Sequence, residues 1–146
     1  TNASAYFGTG FVVQGNDELV DLTGVGALRF VGGNSTINNN DALTTLLGLE
    51  NLEAASKQLV ITNNGNLVDV DGLDNLVSVG TRLEIVNNIS LAELDGLAAL
   101  DVVGGVLEVR NNDVLPQCAA EGLRDQLSSG PTSATLTGND ELGTCE

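Results

Sequence analysis

The chain has 146 residues, of which 20 are acidic, 5 basic and none His, for a net charge of −15. An apolar fraction of 42% is enough for one core, but the aromatics are confined to Tyr6, Phe7, Phe11 and Phe30, so that core must be thin and aliphatic. This acidic balance argues against nucleic acid and anionic membrane surfaces as partners, which need clustered Lys or Arg, and no apolar run reaches the roughly 18 residues of a membrane span.

Residues 1–10 read as an N-terminal half-coil, because Thr1 falls at the phase of Leu73 in the repeat that follows. A chain that starts at Thr1 and contains no Met is expected to be a mature, exported product whose leader has been removed.

Residues 11–115 form the repeat. Asn16, Asn40, Asn64, Asn88 and Asn112 recur at steps of 24, and Asn139 follows after 27. Leu83, Ile85, Asn88, Leu91, Leu94, Gly96, Leu97, Leu100, Val103 and Gly104 are matched in class 24 residues earlier by Leu59, Ile61, Asn64, Leu67, Val70, Gly72, Leu73, Leu76, Val79 and Gly80. The first unit also aligns, and the second does so with lapses at Ser35 and Ala55.

A period of this length is the signature of stacked coils, none of which can bury its apolar face alone. The stretch Leu83-x-Ile85 alternates at period two, so it predicts a strand pairing in parallel with its equivalents in a sheet. The Leu97 and Leu100 spacing predicts a turn of helix, 3₁₀ or bent chain on the opposite wall. Gly15, Asn39, Asn63, Asn87, Asn111 and Gly138 precede the repeated Asn and are expected to turn the chain with positive φ. The repeated Asn is never Gly. Its amide both donates and accepts, so stacked copies are expected to form an interior ladder that satisfies backbone groups.

Residues 116–146 depart from the period. Pro116, then Ala119, Leu123 and Leu127 at helical spacing, with Gly130 and Pro131 beyond, predict a capping helix of about three turns ahead of a last coil. Cys118 and Cys145 occupy the column of Leu22, Leu46, Val70 and Leu94, one coil apart. Neighbouring coils hold their Cα atoms near the separation a disulfide accepts, which predicts a staple; two free core thiols are the alternative. The string Gly-Asn-Asp-Glu-Leu occurs at both 15–19 and 138–142, and Glu146 stops at a phase complementary to Thr1. Head-to-tail stacking of copies into a filament is therefore an alternative role.

The string LxIxxNxxLxxLxGLxxLxxVG, carried by residues 11–115, resembles the repeat of receptor L domains and related leucine-rich-repeat surface proteins. The ending NNDVLPQCAAEGLRDQL, then TGNDELGTC, is similar to the cysteine-bearing terminal coils of bacterial members. The resemblance implies a mainly β fold, a right-handed parallel β-solenoid of about six coils with a short C-terminal capping helix. It also implies secretion or display at the cell surface, and it says little about function.

Strand alternation points Val12, Thr36, Val60, Glu84, Glu108 and Thr135 outward in one row, and Gln14, Asn38, Thr62, Val86, Arg110 and Thr137 in the next. These rows are the candidate face for a protein or glycan ligand, with plain solvated sheet as the alternative. Catalysis has little to stand on: with no His, no GxSxG elbow and no free nucleophile if the cysteines pair, nucleophilic schemes lack a base or an activated nucleophile, and carboxylates are so abundant that no single acid/base pair stands out. No organic cofactor is implied. Asp69 and Glu93 share a column, Asp71 and Asp95 share another, and Asp74 lies near, so these carboxylates are a candidate Ca²⁺ site with a solvated acidic ridge as the alternative. Sequons occur at Asn2, Asn34 and Asn88; the ladder would hide Asn88 and leave Asn2 and Asn34 open to a glycan.

Overall fold

The computed structural model describes residues 5–145, with side chains from residue 8 onward. In chain order its strands are β1 (Ala5–Phe7), β2 (Val12–Gln14), β3 (Leu28–Val31), β4 (Ser35–Asn38), β5 (Ala54–Ala55) and β6 (Gln58–Thr62). They continue as β7 (Ser78–Val79), β8 (Arg82–Val86), β9 (Val102–Val103) and β10 (Val106–Arg110), followed by helix α1 (Gln117–Gln126) and strand β11 (Ser133–Thr137). The even-numbered strands and β11 make a six-stranded sheet in the order β11-β10-β8-β6-β4-β2, in which every pairing is parallel. The remaining strands make a second parallel sheet of five, in the order β1-β3-β5-β7-β9.

Register follows the repeat. Ile37, Ile61, Ile85, Val109 and Leu136 stand side by side across β4, β6, β8, β10 and β11. The first four are wholly buried, as the alternation of apolar inner and polar outer side chains requires. The second sheet was not anticipated as a sheet. It forms because Val31, Ala55, Val79 and Val103 also fall in register, and all four are buried. The wall between is a short 3₁₀ turn at Thr23–Val25 and again at Asp95–Leu97, with Leu22, Leu46, Leu49, Leu73 and Leu97 directed into the core.

Both lapses of the second unit are accommodated. Ala55 fills its column with a smaller side chain and remains buried. Ser35 is buried where other units carry Leu, and its hydroxyl accepts the Phe11 N–H at 3.4 Å, so no polar group is left stranded there. Where the chain leaves the second sheet, successive units touch backbone to backbone. A Cβ on Gly104 would lie 2.1 Å from the Gly80 carbonyl oxygen and one on Gly80 would lie 2.0 Å from the Ser56 carbonyl oxygen, so these two positions tolerate no side chain.

Helix α1 begins directly after Pro116 and buries Ala120 and Leu123, with Ala119 and Leu127 partly covered. Gln126 pins its end by donating its side-chain amide to the carbonyls of Leu97 and Leu100 at 2.8 and 2.9 Å. Cys118 and Cys145 form a disulfide with a Cα separation of 6.0 Å. It closes the last unit onto the helix. Among the described residues, no helix is long and apolar enough to cross a membrane.

Candidate binding face

Each strand of the six-stranded sheet ends in a residue with positive φ, namely Asn39 at 55°, Asn63 at 56°, Asn87 at 58° and Asn111 at 55°, with Gly15 and Gly138 at the ends. Asn tolerates this region better than other side chains, which accounts for the column. The next Asn turns inward. Asn40 N–H and Nδ2 both donate to Asn64 Oδ1 at 3.1 Å, and Asn40 Nδ2 also donates to the Val13 carbonyl at 3.1 Å. Asn64 and Asn112 repeat the arrangement, and Asn88 repeats it with its backbone N–H alone on Asn112 Oδ1; the Nδ2 atoms of Asn64, Asn88 and Asn112 reach the carbonyls of Ile37, Ile61 and Ile85 respectively. These amides are fully buried, so the interior ladder expected from the sequence holds the ends of the strands in line. A second, exposed chain of amides runs beside it in the opposite sense: Asn87 Nδ2 donates to Asn63 Oδ1 and Asn111 Nδ2 to Asn87 Oδ1.

Held in this way, the outer face is flat and closely packed. Thr36, Val60 and Asn38 are half-buried, whereas Thr62 and Val86 are only 8% and 4% exposed. Thr62 and Val86 are therefore shielded although alternation directs them outward, because parallel neighbours stand one strand apart on either side. The exposed members are peripheral: Val12 and Gln14 on β2, and Thr135 and Thr137 on β11. None of these face residues is aromatic.

Charge on this face is internally paired. Arg82 contacts Glu108 at 2.6 Å and Glu84 at 3.3 Å, and Arg110 Nε reaches Glu108 at 3.4 Å. Burial works to raise the Glu108 carboxyl, but the hydrogen bond and charge of Arg82, with Arg110 beside it, outweigh burial and hold it below its ordinary range. Glu84, Glu108 and Arg110 are thus partners of one another as well as potential ligand contacts. Arg82 was missed because its column reads as a strand edge. The Asn38 Oδ1 atom is buried without a hydrogen-bond partner, which marks the β4 part of the face, next to the β2 edge, as incompletely satisfied.

The acidic column behaves differently. Burial, followed by the charges of Asp69, Asp74 and Asp95, raises the Asp71 carboxyl above its ordinary value, so these groups do sense one another. Asp69 Oδ1 already accepts from Thr45 Oγ1 and the Asp71 N–H, and Asp74 Oδ2 accepts from the Gly72 N–H. Among the described residues, no group of three or more His, Cys, Asp or Glu is arranged to hold a metal ion, and the set Asp69, Asp71, Asp74, Glu93 and Asp95 is not brought together as such a group. The reason is geometric: same-column residues lie along the stack instead of converging on one point.

Of the sequons, Asn88 is buried in the ladder, Asn34 is exposed, and Asn2 lies outside the described residues. No protein-family model, curated protein or solved structure matches the chain.

Proposed function

We propose that the chain is a right-handed parallel β-solenoid of the receptor L-domain type, acting outside the cell as a non-enzymatic recognition module. The 24-residue register shared by two parallel sheets supports the solenoid, and parallel crossovers are right-handed in nearly all cases. The Cys118–Cys145 disulfide supports an oxidising compartment.

The ligand meets the outer face of the six-stranded sheet, and a protein surface is the favoured class. One observation carries this choice: Thr36, Asn38 and Val60 form a flat, half-buried, uncharged patch on β4 and β6 beside ion pairs that are already neutralised. A protein can cover such a surface without stranding a charge. Sugar rings commonly stack on aromatic side chains, and none is present on these rows.

The test compares the native chain with Thr36→Arg and Val60→Arg in binding to an array of extracellular proteins and glycans, each variant first checked for native circular dichroism. Loss of a protein ligand in both variants is the expected result. Ligands retained equally by both variants would remove the face from the account, and a glycan lost on substitution would change the ligand class.

A further inference from the structure

The interior ladder has a direction and two unlike ends. At each internal step an Asn accepts on Oδ1 from the preceding unit and donates through Nδ2 to the carbonyl three residues before the preceding ladder Asn. Asn139 makes both contacts, donating to the Val109 carbonyl at 2.9 Å and accepting from Asn112, but no following Asn supplies the Oδ1 that takes a second Nδ2 hydrogen in units such as Asn40 and Asn64. A further unit would have to supply an acceptor for Asn139 Nδ2 and a donor for the Leu136 carbonyl. Gln117, the first residue of α1, supplies both: its Oε1 accepts from Asn139 Nδ2 at 3.1 Å and its Nε2 donates to the Leu136 carbonyl at 2.9 Å. The side chain of Gln117 stands where the amide of the next Asn would stand.

Among the described residues, nothing else closes that end in the same way. Strand β11 is the edge of the sheet and is exposed except for Leu136. Leu142 is 93% exposed, although Leu43, Leu67, Leu91 and Leu115 in the same column are wholly buried. At the other end β2 is the opposite edge, Val12 is 67% exposed, and Asn16 is exposed with no donor to its Oδ1 among the described residues. Asn16 therefore presents the acceptor that Asn139 lacks in a neighbour, and the parallel register of β11 would continue into β2.

We propose that the β11 end is a concealed interface for the β2 end of a second copy of this chain, kept shut by the Gln117 side chain. With Gln117 displaced, Asn16 of the second copy would accept from Asn139 Nδ2 and donate to the Leu136 carbonyl, extending the ladder by one ordinary step. A second copy is the occupant because both ends carry the same string, Gly15–Leu19 and Gly138–Leu142, at the same phase. That shared string adds a second guard. It would set Asp17 against Asp140 and Glu18 against Glu141 across the joint. Asp already follows Asp inside the stack at Asp17–Asp41 and Asp113–Asp140, but in the Glu18 column the internal units carry Ala42, Asn66, Ser90 and Val114, so the Glu18–Glu141 pair is the new repulsion. Like charges at strand spacing repel, so the native chain is held monomeric by a plug and by charge.

The experiment is sedimentation velocity on the full chain over a wide concentration range at neutral pH. The native protein is expected to sediment as a 15.0 kDa monomer. Gln117→Ala combined with Asp17→Asn and Glu18→Gln is expected to give a series of integral multiples of that mass, and adding Asn16→Ala should return it to monomer. Circular dichroism and an intact disulfide establish that each variant is folded. Should Gln117→Ala disturb the helix, Gln117→Glu keeps the acceptor and shape but removes the donor to Leu136, and weaker association of the same kind is expected. Variants that stay monomeric throughout, association that survives Asn16→Ala, or native protein that already forms the same multiples would each overturn the proposal.

Discussion

Asn64 donates to the Ile37 carbonyl and accepts from the Asn40 backbone, both in the interior, so Asn64→Ala leaves two buried polar groups without partners. Such groups cost about 1–3 kcal/mol each, and a loss of about 3 kcal/mol or more in urea unfolding is expected. Asn16→Ala, at the exposed end of the same ladder, should cost about 1 kcal/mol or less. Equal losses at the two sites would show that the ladder does not carry the stability assigned to it. The carboxylates make a second pair with opposite signs. Asp71 has its folded pKa raised above 3.8, so its charge opposes folding at neutral pH and that penalty fades as pH falls through the folded value. Asp71→Asn is expected to raise the melting midpoint at pH 7 and to leave it unchanged in acid. Glu108 is held below 4.5, so its contribution is present above that value and is lost as pH falls through the folded pKa. Glu108→Gln should lower the midpoint at pH 7, with the difference shrinking in acid.

Among the elements, the last unit depends most on cross-links, because β11 is a nearly exposed edge strand with little core beneath it. The disulfide spans 27 residues, for which the chain-entropy model gives about 3 kcal/mol. The double variant Cys118→Ser and Cys145→Ser is expected to lose about that much in chemical unfolding, with β11 and the start of α1 exchanging amide protons first. Uniform loss of protection along the whole stack would contradict a local role. The helix was legible from Pro116 and the spacing of Leu123 and Leu127, but its attachment through Gln126 to the wall of the fourth unit was not. That contact joins residues 26 and 29 positions apart, and no periodic signal announces it.

For the whole molecule, the net charge of −15 is the dominant long-range term, since the five basic residues cannot neutralise it. Going from about 0.01 M to about 1 M salt shortens the screening length from about 30 Å to about 3 Å and should relieve self-repulsion. The melting midpoint is expected to rise with sodium chloride. A falling midpoint would mean that the paired charges of Arg82, Glu84, Glu108 and Arg110 outweigh the general repulsion.

The repeat, the inward Asn column, the left-handed turn residues and the Cys118–Cys145 pairing were determined by the sequence alone. A strict 24-residue spacing brings equivalent residues into equivalent environments, so one unit describes the others. Tertiary structure alone decided the second sheet, the shielding of Thr62 and Val86, the ion pairs around Arg82 and the closure of the ladder by Gln117. The second sheet shares the 24-residue register, but its strands at Ala54–Ala55, Ser78–Val79 and Val102–Val103 are too short to show an alternation in the sequence, and the others depend on side-chain reach or neighbour shielding that the period alone does not specify. Gln117 falls in the column of Asp21, Thr45, Asp69 and Glu93, not in that of the ladder Asn, and it closes the ladder only because the helix carries its amide to the place of a missing Asn.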